Sequence, residues 1–187
     1  MIILLGKTNS GKTTIQDILC KQYGYKPIVT CTTRPKRDGE IDGKTYHFLS
    51  NDEFLAKIAD KKFAEYRSYN SVHGVWFYGS LKSSYRTKNG IIILNPYGFK
   101  EIKKQLTNYK EKPFSVFLNA DDECIRNRAA ERGDTSAEIE RRIVADEIDF
   151  AGIENEVNLC IDVNTDMPEI IADKIDKTYL RWKYGNE

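Results

Sequence analysis

The chain opens on five apolar residues, Met1 to Leu5, and the run stops at Gly6. A short, unbroken, β-branched run ended by glycine predicts a strand buried on both faces, which in turn predicts a parallel sheet. Similar runs recur at Pro27 to Cys31, Ile91 to Leu94, Pro113 to Leu118 and Leu159 to Val163. Most segments between them read as helical, including Lys12 to Tyr23 and Tyr97 to Leu106. Strands alternating with helices predict an α/β fold with a helix-flanked parallel sheet and right-handed crossovers.

The pattern changes between Arg34 and Ser84. Short aromatic-rich stretches at Thr45 to Leu49, Phe63 to Tyr69 and Val75 to Tyr78 are joined by Gly, Asn and Asp, which predicts a small β-rich insertion. A second charged stretch, Arg126 to Arg142, carries five arginines around the turn signal Glu131-Arg132-Gly133-Asp134 and reads as a mobile helical lid. The tail from Tyr179 to Glu187 reads as the frayed end of a last helix, and no internal repeat interrupts the pattern.

At 187 residues the chain is long enough for one domain with such an insertion. Its 29 basic and 28 acidic residues leave a net charge of +1, which gives no reason to expect a nucleic-acid or membrane partner. The four cysteines lie far apart without a C-x-x-C pair, so they predict neither a disulfide framework nor a zinc site. No apolar run approaches the roughly 20 residues of a membrane helix. With the glycine-rich loop starting at Gly6, the N-terminus has no room for a signal peptide, and a cytoplasmic location is expected.

That loop, Gly6-Lys7-Thr8-Asn9-Ser10-Gly11-Lys12-Thr13, fits the Walker A pattern between a predicted strand and a predicted helix. Its glycines let successive backbone N–H groups turn inward toward phosphate oxygens, and the helix behind adds the positive end of its dipole. Gly6, Asn9, Ser10, Gly11, Lys12, Thr13 and Thr14 are therefore candidate ATP-binding residues. Lys12 is expected to reach the β and γ phosphates, and the Thr13 hydroxyl to coordinate Mg²⁺. A P-loop identifies a nucleoside triphosphate but not what receives its phosphate.

The second predicted strand is followed by Thr30-Cys31-Thr32-Thr33-Arg34-Pro35-Lys36-Arg37, which sets two arginines and a lysine among hydroxyl donors. Arginine grips phosphate oxygens bidentately, so the cluster suits a phosphate monoester. Taken alone it equally describes a solvated basic turn. Likewise Tyr46 and Tyr78 taken singly fit core aromatics, and Glu65 an exposed strand residue.

The stretch T-x-T-T-R-P-x-R-x-G-E-x-D-G-x-x-Y-H-F from Thr30 to Phe48, then Phe63-Ala64-Glu65 and Phe77-Tyr78-Gly79-Ser80, resembles the guanylate kinase family. With the P-loop before and the arginine-rich stretch after, the matches run in the family's order over nearly the whole chain. The resemblance implies a P-loop NTPase-type α/β core over 1–33, 85–125 and 143–187, a nucleoside-monophosphate-binding insertion over 34–84 and a lid over 126–142. It implies that Arg34, Arg37, Tyr46 and Tyr78 hold the acceptor phosphate while Thr30, Glu65 and Ser80 read guanine. Guanine offers N1–H and a 2-amino group as donors and O6 as acceptor, so an ionised Glu65 and nearby hydroxyls suit it. Arg128, Arg132 and Arg142 fall where the family places lid arginines that close over the phosphates, with Lys12 and Arg37 completing the candidate catalytic set. Asn164 falls where it places a contact to the ATP base, whereas Arg126 and Arg141 read as a charged helix face.

The family usually carries Asp-x-Asp where this chain has Ile93-Leu94-Asn95. Asn95 is expected to accept from the guanine 2-amino group without bringing charge, while Ile93 supplies neither contact. The segment from Tyr66 to Phe77 is longer than the family's. The implied activity is phosphoryl transfer from ATP, with Mg²⁺, to GMP or dGMP, by a monomer or homodimer without nucleic-acid or membrane partners. Two other readings are a related kinase with another acceptor, such as a different nucleoside monophosphate or ribose 1,5-bisphosphate, and a non-catalytic binding module. An intact P-loop argues against the second of these.

Overall fold

The computed structural model describes residues 1–71, 74–105 and 112–185. Every residue of strand β1 (Ile2–Gly6) is buried, and the alternation of its side chains divides them between two cores. Ile2 and Leu4 meet Ile15 and Leu19 of helix α1 (Lys12–Tyr23) and Ile171, Ala172 and Ile175 of helix α6 (Pro168–Tyr184). Ile3 and Leu5 pack instead with Phe99 and Ile102 of helix α3 (Pro96–Gln105). Burial of each of these four β1 side chains contributes about 2 kcal/mol.

Around β1 lies a five-stranded parallel sheet in the order β2 (Lys26–Pro27), β7 (Gly90–Ile93), β1, β8 (Phe114–Asn119) and β9 (Leu159–Asp162). Ile2 pairs with Ile91 on one side and with Phe114 on the other. This is the helix-flanked parallel sheet expected from the apolar runs. In such sheets ligands bind beyond the carboxyl ends of the strands, which here point to the P-loop and to Asn95.

The run from Pro27 to Cys31 is not the single strand its composition predicts. After the N–H of Ile28 donates to the Ile91 carbonyl at 2.8 Å, the chain leaves the first sheet, and Cys31–Thr32 forms β3 of a second one. Pro27 has no N–H to extend a ladder, and β2 accordingly sits at the sheet edge. The second sheet runs β4 (His47–Phe48), β3, β6 (Gly74–Leu81) and β5 (Phe63–Ser71), so it begins ahead of residue 34, inside the stretch assigned above to the core.

Helix α2 (Asn51–Ala59) covers this sheet, and its Phe54 ring stacks on Phe63 at 4.2 Å and on Phe77 at 5.3 Å. The insertion is therefore mixed rather than purely β-rich. Its helix had a legible start signal, because Ser50 and Glu53 form a reciprocal capping box. The long segment from Tyr66 to Phe77 is absorbed by β5 and β6, paired from Phe63 with Leu81 to Ser71 with Gly74; Val72 and His73 lie outside the described residues.

The arginine-rich stretch comprises helix α4 (Asp122–Arg132) and helix α5 (Ser136–Asp149), with Gly133 in the left-handed region closing α4. Helix α6 does not fray from Tyr179. That side chain is buried, and its ring lies 5.7 Å from Phe114, which also meets Trp182 at 5.3 Å. Leu106, the expected end of α3, lies outside the described residues, as do Asn186 and Glu187. No helix among the described residues is long and apolar enough to cross a membrane, and all four cysteines are free thiols.

Candidate active site

The P-loop turns from β1 into α1 through Asn9 and Gly11, both with positive φ, of 52° and 89°. Gly11 carries the larger value, at the N-cap of α1, where a side chain would be strained. Lys12 folds back over its own loop, donating to the Gly6 carbonyl at 2.8 Å and the Lys7 carbonyl at 2.6 Å. Burial lowers its pKa to about 8, against the opposing pull of the Asp146 carboxylate. Asp146, on α5, reaches the loop itself: the backbone N–H of Thr8 donates to its Oδ2 at 2.5 Å.

Two clefts flank the loop. The larger, about 430 Å³, is lined by Gly6, Thr8 and Lys12 together with Thr30, Tyr46, Glu65, Tyr78 and Asn95, and Arg142 and Asp146 close its α5 side. The smaller, about 240 Å³, is lined by Asn9, Ser10, Gly11 and Thr14 together with Arg128, Arg132 and Val163. Thr13 is exposed in the first turn of α1.

The expected lid arginines separate into two groups. Arg128 donates to the carbonyls of Val163 at 2.7 Å and Asn9 at 3.3 Å, and Arg132 donates to Asn9 Oδ1 at 3.1 Å, so both sit on the smaller cleft. The Nδ2 of Asn9 is buried without an acceptor among the described residues. Arg142 alone of the three faces the larger cleft, held by Glu138 Oε1 at 2.7 Å. Arg126 pairs with Glu140 and Arg141 with Glu138 on the outer surface.

On the acceptor side, Arg34 is buried and grips Glu40 bidentately, at 2.7 and 2.9 Å. Its guanidinium also lies 5.5 Å from the Tyr46 ring. Arg37 is exposed, lines neither cleft, and meets Glu40 through its backbone N–H at 2.8 Å. Glu40 was thus a functional neighbour hidden inside the quoted stretch.

Glu65 lines the large cleft, and burial pushes its carboxyl above the usual range. Its cross-strand partner Ser80 is fully buried and donates to Glu65 Oε1 at 2.6 Å, with the Tyr85 hydroxyl 2.7 Å from Ser80 Oγ. Ser80 consequently stands behind Glu65 and orients it, rather than lining the cleft. Gly98 of α3 passes so close that an added Cβ would lie 3.0 Å from Glu65 Oε2.

Two expected contacts are engaged elsewhere. Asn95 was expected to offer an acceptor, but its Oδ1 accepts from the Gly98 N–H at 2.7 Å, capping α3, and its Nδ2 donates to the Tyr69 hydroxyl at 2.6 Å. Asn164 was expected at the ATP base, yet its Oδ1 accepts from the Asp121 N–H and its Nδ2 donates to Asp162, so it ties the end of β9 to the start of α4. Asp146 and Tyr85 were not anticipated. The signal for Asp146 was its spacing of four from Arg142, which puts both on one helix face; Tyr85 had no comparable signal.

The guanylate kinase family model matches residues 1–177. A guanylate kinase of Clostridium tetani is 34% identical over 74% of this chain, and the chain spans 65% of that relative's length. One from Bacteroides fragilis is 31% identical over 96% of this chain and 89% of its own length. A crystal structure of guanylate kinase from Anaplasma phagocytophilum, 21% identical, superposes with a TM-score of 0.70 over 100% of this chain and 86% of its own, a likeness of fold. With a matching family model over nearly its whole length, the chain belongs to the guanylate kinase family.

Proposed function

We propose that the chain transfers the γ-phosphoryl group of ATP to GMP or dGMP, giving ADP and GDP or dGDP. The observation that carries this reading is that one cleft of about 430 Å³ joins Lys12 of the P-loop to Glu65 and Tyr78 of the second sheet and to Tyr46 just ahead of its strand β4. A triphosphate on the loop and a monophosphate on the sheet would meet in the same space. The relatives named guanylate kinase support the same chemistry.

In this reading an oxygen of the acceptor phosphate attacks the γ-phosphorus in line, and the β–γ bridging oxygen leaves with ADP. Such transfer depends on positioning and on absorbing charge rather than on a protein nucleophile. Lys12 exchanges the Gly6 and Lys7 carbonyls for phosphate oxygens, and Arg142 meets the transferring group from α5. Arg128, Arg132 and Asn9 line the smaller cleft, where the rest of the ATP would lie. Tyr46 and Tyr78 line the cleft where the acceptor phosphate would lie, and Arg34, now held by Glu40 and the Pro35 carbonyl, would join them, as would Arg37, on movement of their loop inward. Movement of the insertion and of α4 and α5 over the core would exclude water, which would otherwise compete as the acceptor.

The residues fit a magnesium ion that arrives on ATP. No group of three His, Cys, Asp or Glu among the described residues forms a cage, and Mg²⁺ at nucleotide sites takes most of its ligands from phosphate and water. Thr13 would hold it, and it would supply charge neutralisation on the β and γ phosphates.

The reading is tested by following ADP release from ATP and Mg²⁺ with and without GMP, in the native chain and in Lys12→Ala. GMP-dependent release that falls by about 10²- to 10³-fold in the variant is expected, the range for removing one charge-stabilising donor. A folded protein whose ADP release does not respond to GMP would contradict it.

A further inference from the structure

Three cationic side chains among the described residues line the large cleft: Lys12, Arg67 and Arg142. Lys12 belongs to the P-loop, and Arg142 comes from α5, where Glu138 Oε1 holds it at 2.7 Å. Arg67 stands on β5, in the second sheet. Side chains alternate along a strand, so Glu65, Arg67 and Tyr69 share the face that lines the cleft. The antiparallel partner of Arg67 on β6 is Tyr78, and residues directly opposite each other project from the same face of a sheet. Two aromatic rings aim the guanidinium. Its Cζ lies 5.1 Å from the ring centre of Tyr69 on its own strand and 5.5 Å from that of Tyr97 on α3. Cations are attracted to ring faces, so strand and helix fix the side chain without consuming its N–H donors. Its counter-ion is Asp149 of α5, at 3.7 Å, which is longer than a hydrogen bond, and the two side chains are 38% and 39% exposed.

We propose that Arg67 is a further acceptor-binding residue, which grips the phosphate of the nucleoside monophosphate beside Tyr78 and gives up Asp149 to do so. The inference rests on the phosphoryl-transfer reading above. Half-exposed ion pairs contribute little, so Arg67 exchanges its carboxylate for a better-placed anion at small cost, and Asp149 keeps its contact with water. Arg34 is the opposite case, because it is buried, paired bidentately with Glu40 and absent from the lining of the cleft. Taking a buried cation from its carboxylate is costly, and Arg37 lines neither cleft. Arg67 is thus the second-sheet cation already in the cleft with donors to offer. A phosphate monoester presents oxygens that match the planar fork of a guanidinium, a fit that a neutral amide lacks. Arg67 therefore supplies positive charge on the acceptor side before Arg34 and Arg37 move inward, and the open cleft can capture the monophosphate ahead of closure.

The test measures Kd for GMP by calorimetry, and KM for GMP and for ATP in turnover, in the native chain, Arg67→Gln and Asp149→Asn. Arg67→Gln is expected to raise Kd and KM for GMP by about tenfold with KM for ATP unchanged, the scale of one hydrogen bond to a charged group. Asp149→Asn is expected to lower Kd for GMP by about two- to fivefold, because it removes the carboxylate that competes for Arg67. The opposite signs are decisive, since a purely structural clasp between β5 and α5 would make both variants bind GMP less well. An unchanged Kd for GMP in Arg67→Gln, equal losses in the two variants, or a KM for ATP that rises as much as that for GMP overturns the inference. If Arg67→Gln does not fold, the sign of the shift in Asp149→Asn decides. A native chain that binds and turns over GMP no better than Arg67→Gln overturns this inference and leaves the kinase reading in place; a folded native chain that neither binds nor turns over GMP overturns both.

Discussion

Arg34 has only 5% of its surface exposed and is held by Glu40, by the Pro35 carbonyl at 2.7 Å and by the rings of Tyr46 and Phe48. Removing the carboxylate would leave a buried cation short of its main acceptor. Glu40→Ala is therefore expected to lower stability by about 1–3 kcal/mol in urea unfolding at neutral pH. The hydrogen bond from Arg34 is also the first cause holding the Glu40 carboxyl below its ordinary pKa of 4.5. A depressed native pKa gives stability that is present above the ordinary value and lost as pH falls through the native one. The difference between native chain and variant should accordingly close on acidification, and a gap that persists in acid would contradict this account. At this scale the sequence made Arg34 and Arg37 look equivalent. What separates them is tertiary: Glu40 folds back six residues onto one guanidinium and only onto the backbone of the other.

Helix α5 sets Arg142 and Asp146 four residues apart on the face that lines the cleft. Asp146 occupies the Thr8 N–H and raises the Lys12 pKa against the effect of burial. A carboxylate on a phosphate-loop amide competes with phosphate for the same donor, so Asp146→Asn is expected to tighten ATP binding by about three- to tenfold in calorimetry. Weaker binding by the variant would instead make Asp146 part of the ATP site. The alternation of apolar runs with helical segments identified α1 and α3, while a turn signal marked the charged stretch that holds α4 and α5. It passed over α2, where a nine-residue helix within an aromatic, polar segment betrayed itself only through the Ser50 to Glu53 capping box. It also merged β2 and β3, because composition cannot show a chain changing sheets at Pro27 and Ile28. The partners of Asn164 were hidden for a related reason: its amide bridges β9 to the start of α4, a contact between segments 43 residues apart.

The whole molecule sets a parallel sheet bearing the P-loop beside a mixed sheet bearing Glu65 and Tyr78, with the carboxyl ends of β1 and β7 opening onto the space between them. The fold class and this pairing were legible because glycines, arginines and aromatics stand in an ordered series along the chain. The orientation of amides and hydroxyls within the cleft was not, since Asn95, Ser80 and Tyr85 acquire their roles only from neighbours such as Gly98, Tyr69 and Glu65. A phosphoryl group is proposed to cross from one sheet's ligand to the other's. That crossing is tested most directly by ³¹P NMR of the native chain with ATP, Mg²⁺ and GMP. ADP and GDP are expected to appear in equal amounts without inorganic phosphate. Inorganic phosphate in place of GDP, or an unchanged spectrum from a folded protein that binds both nucleotides, would contradict it.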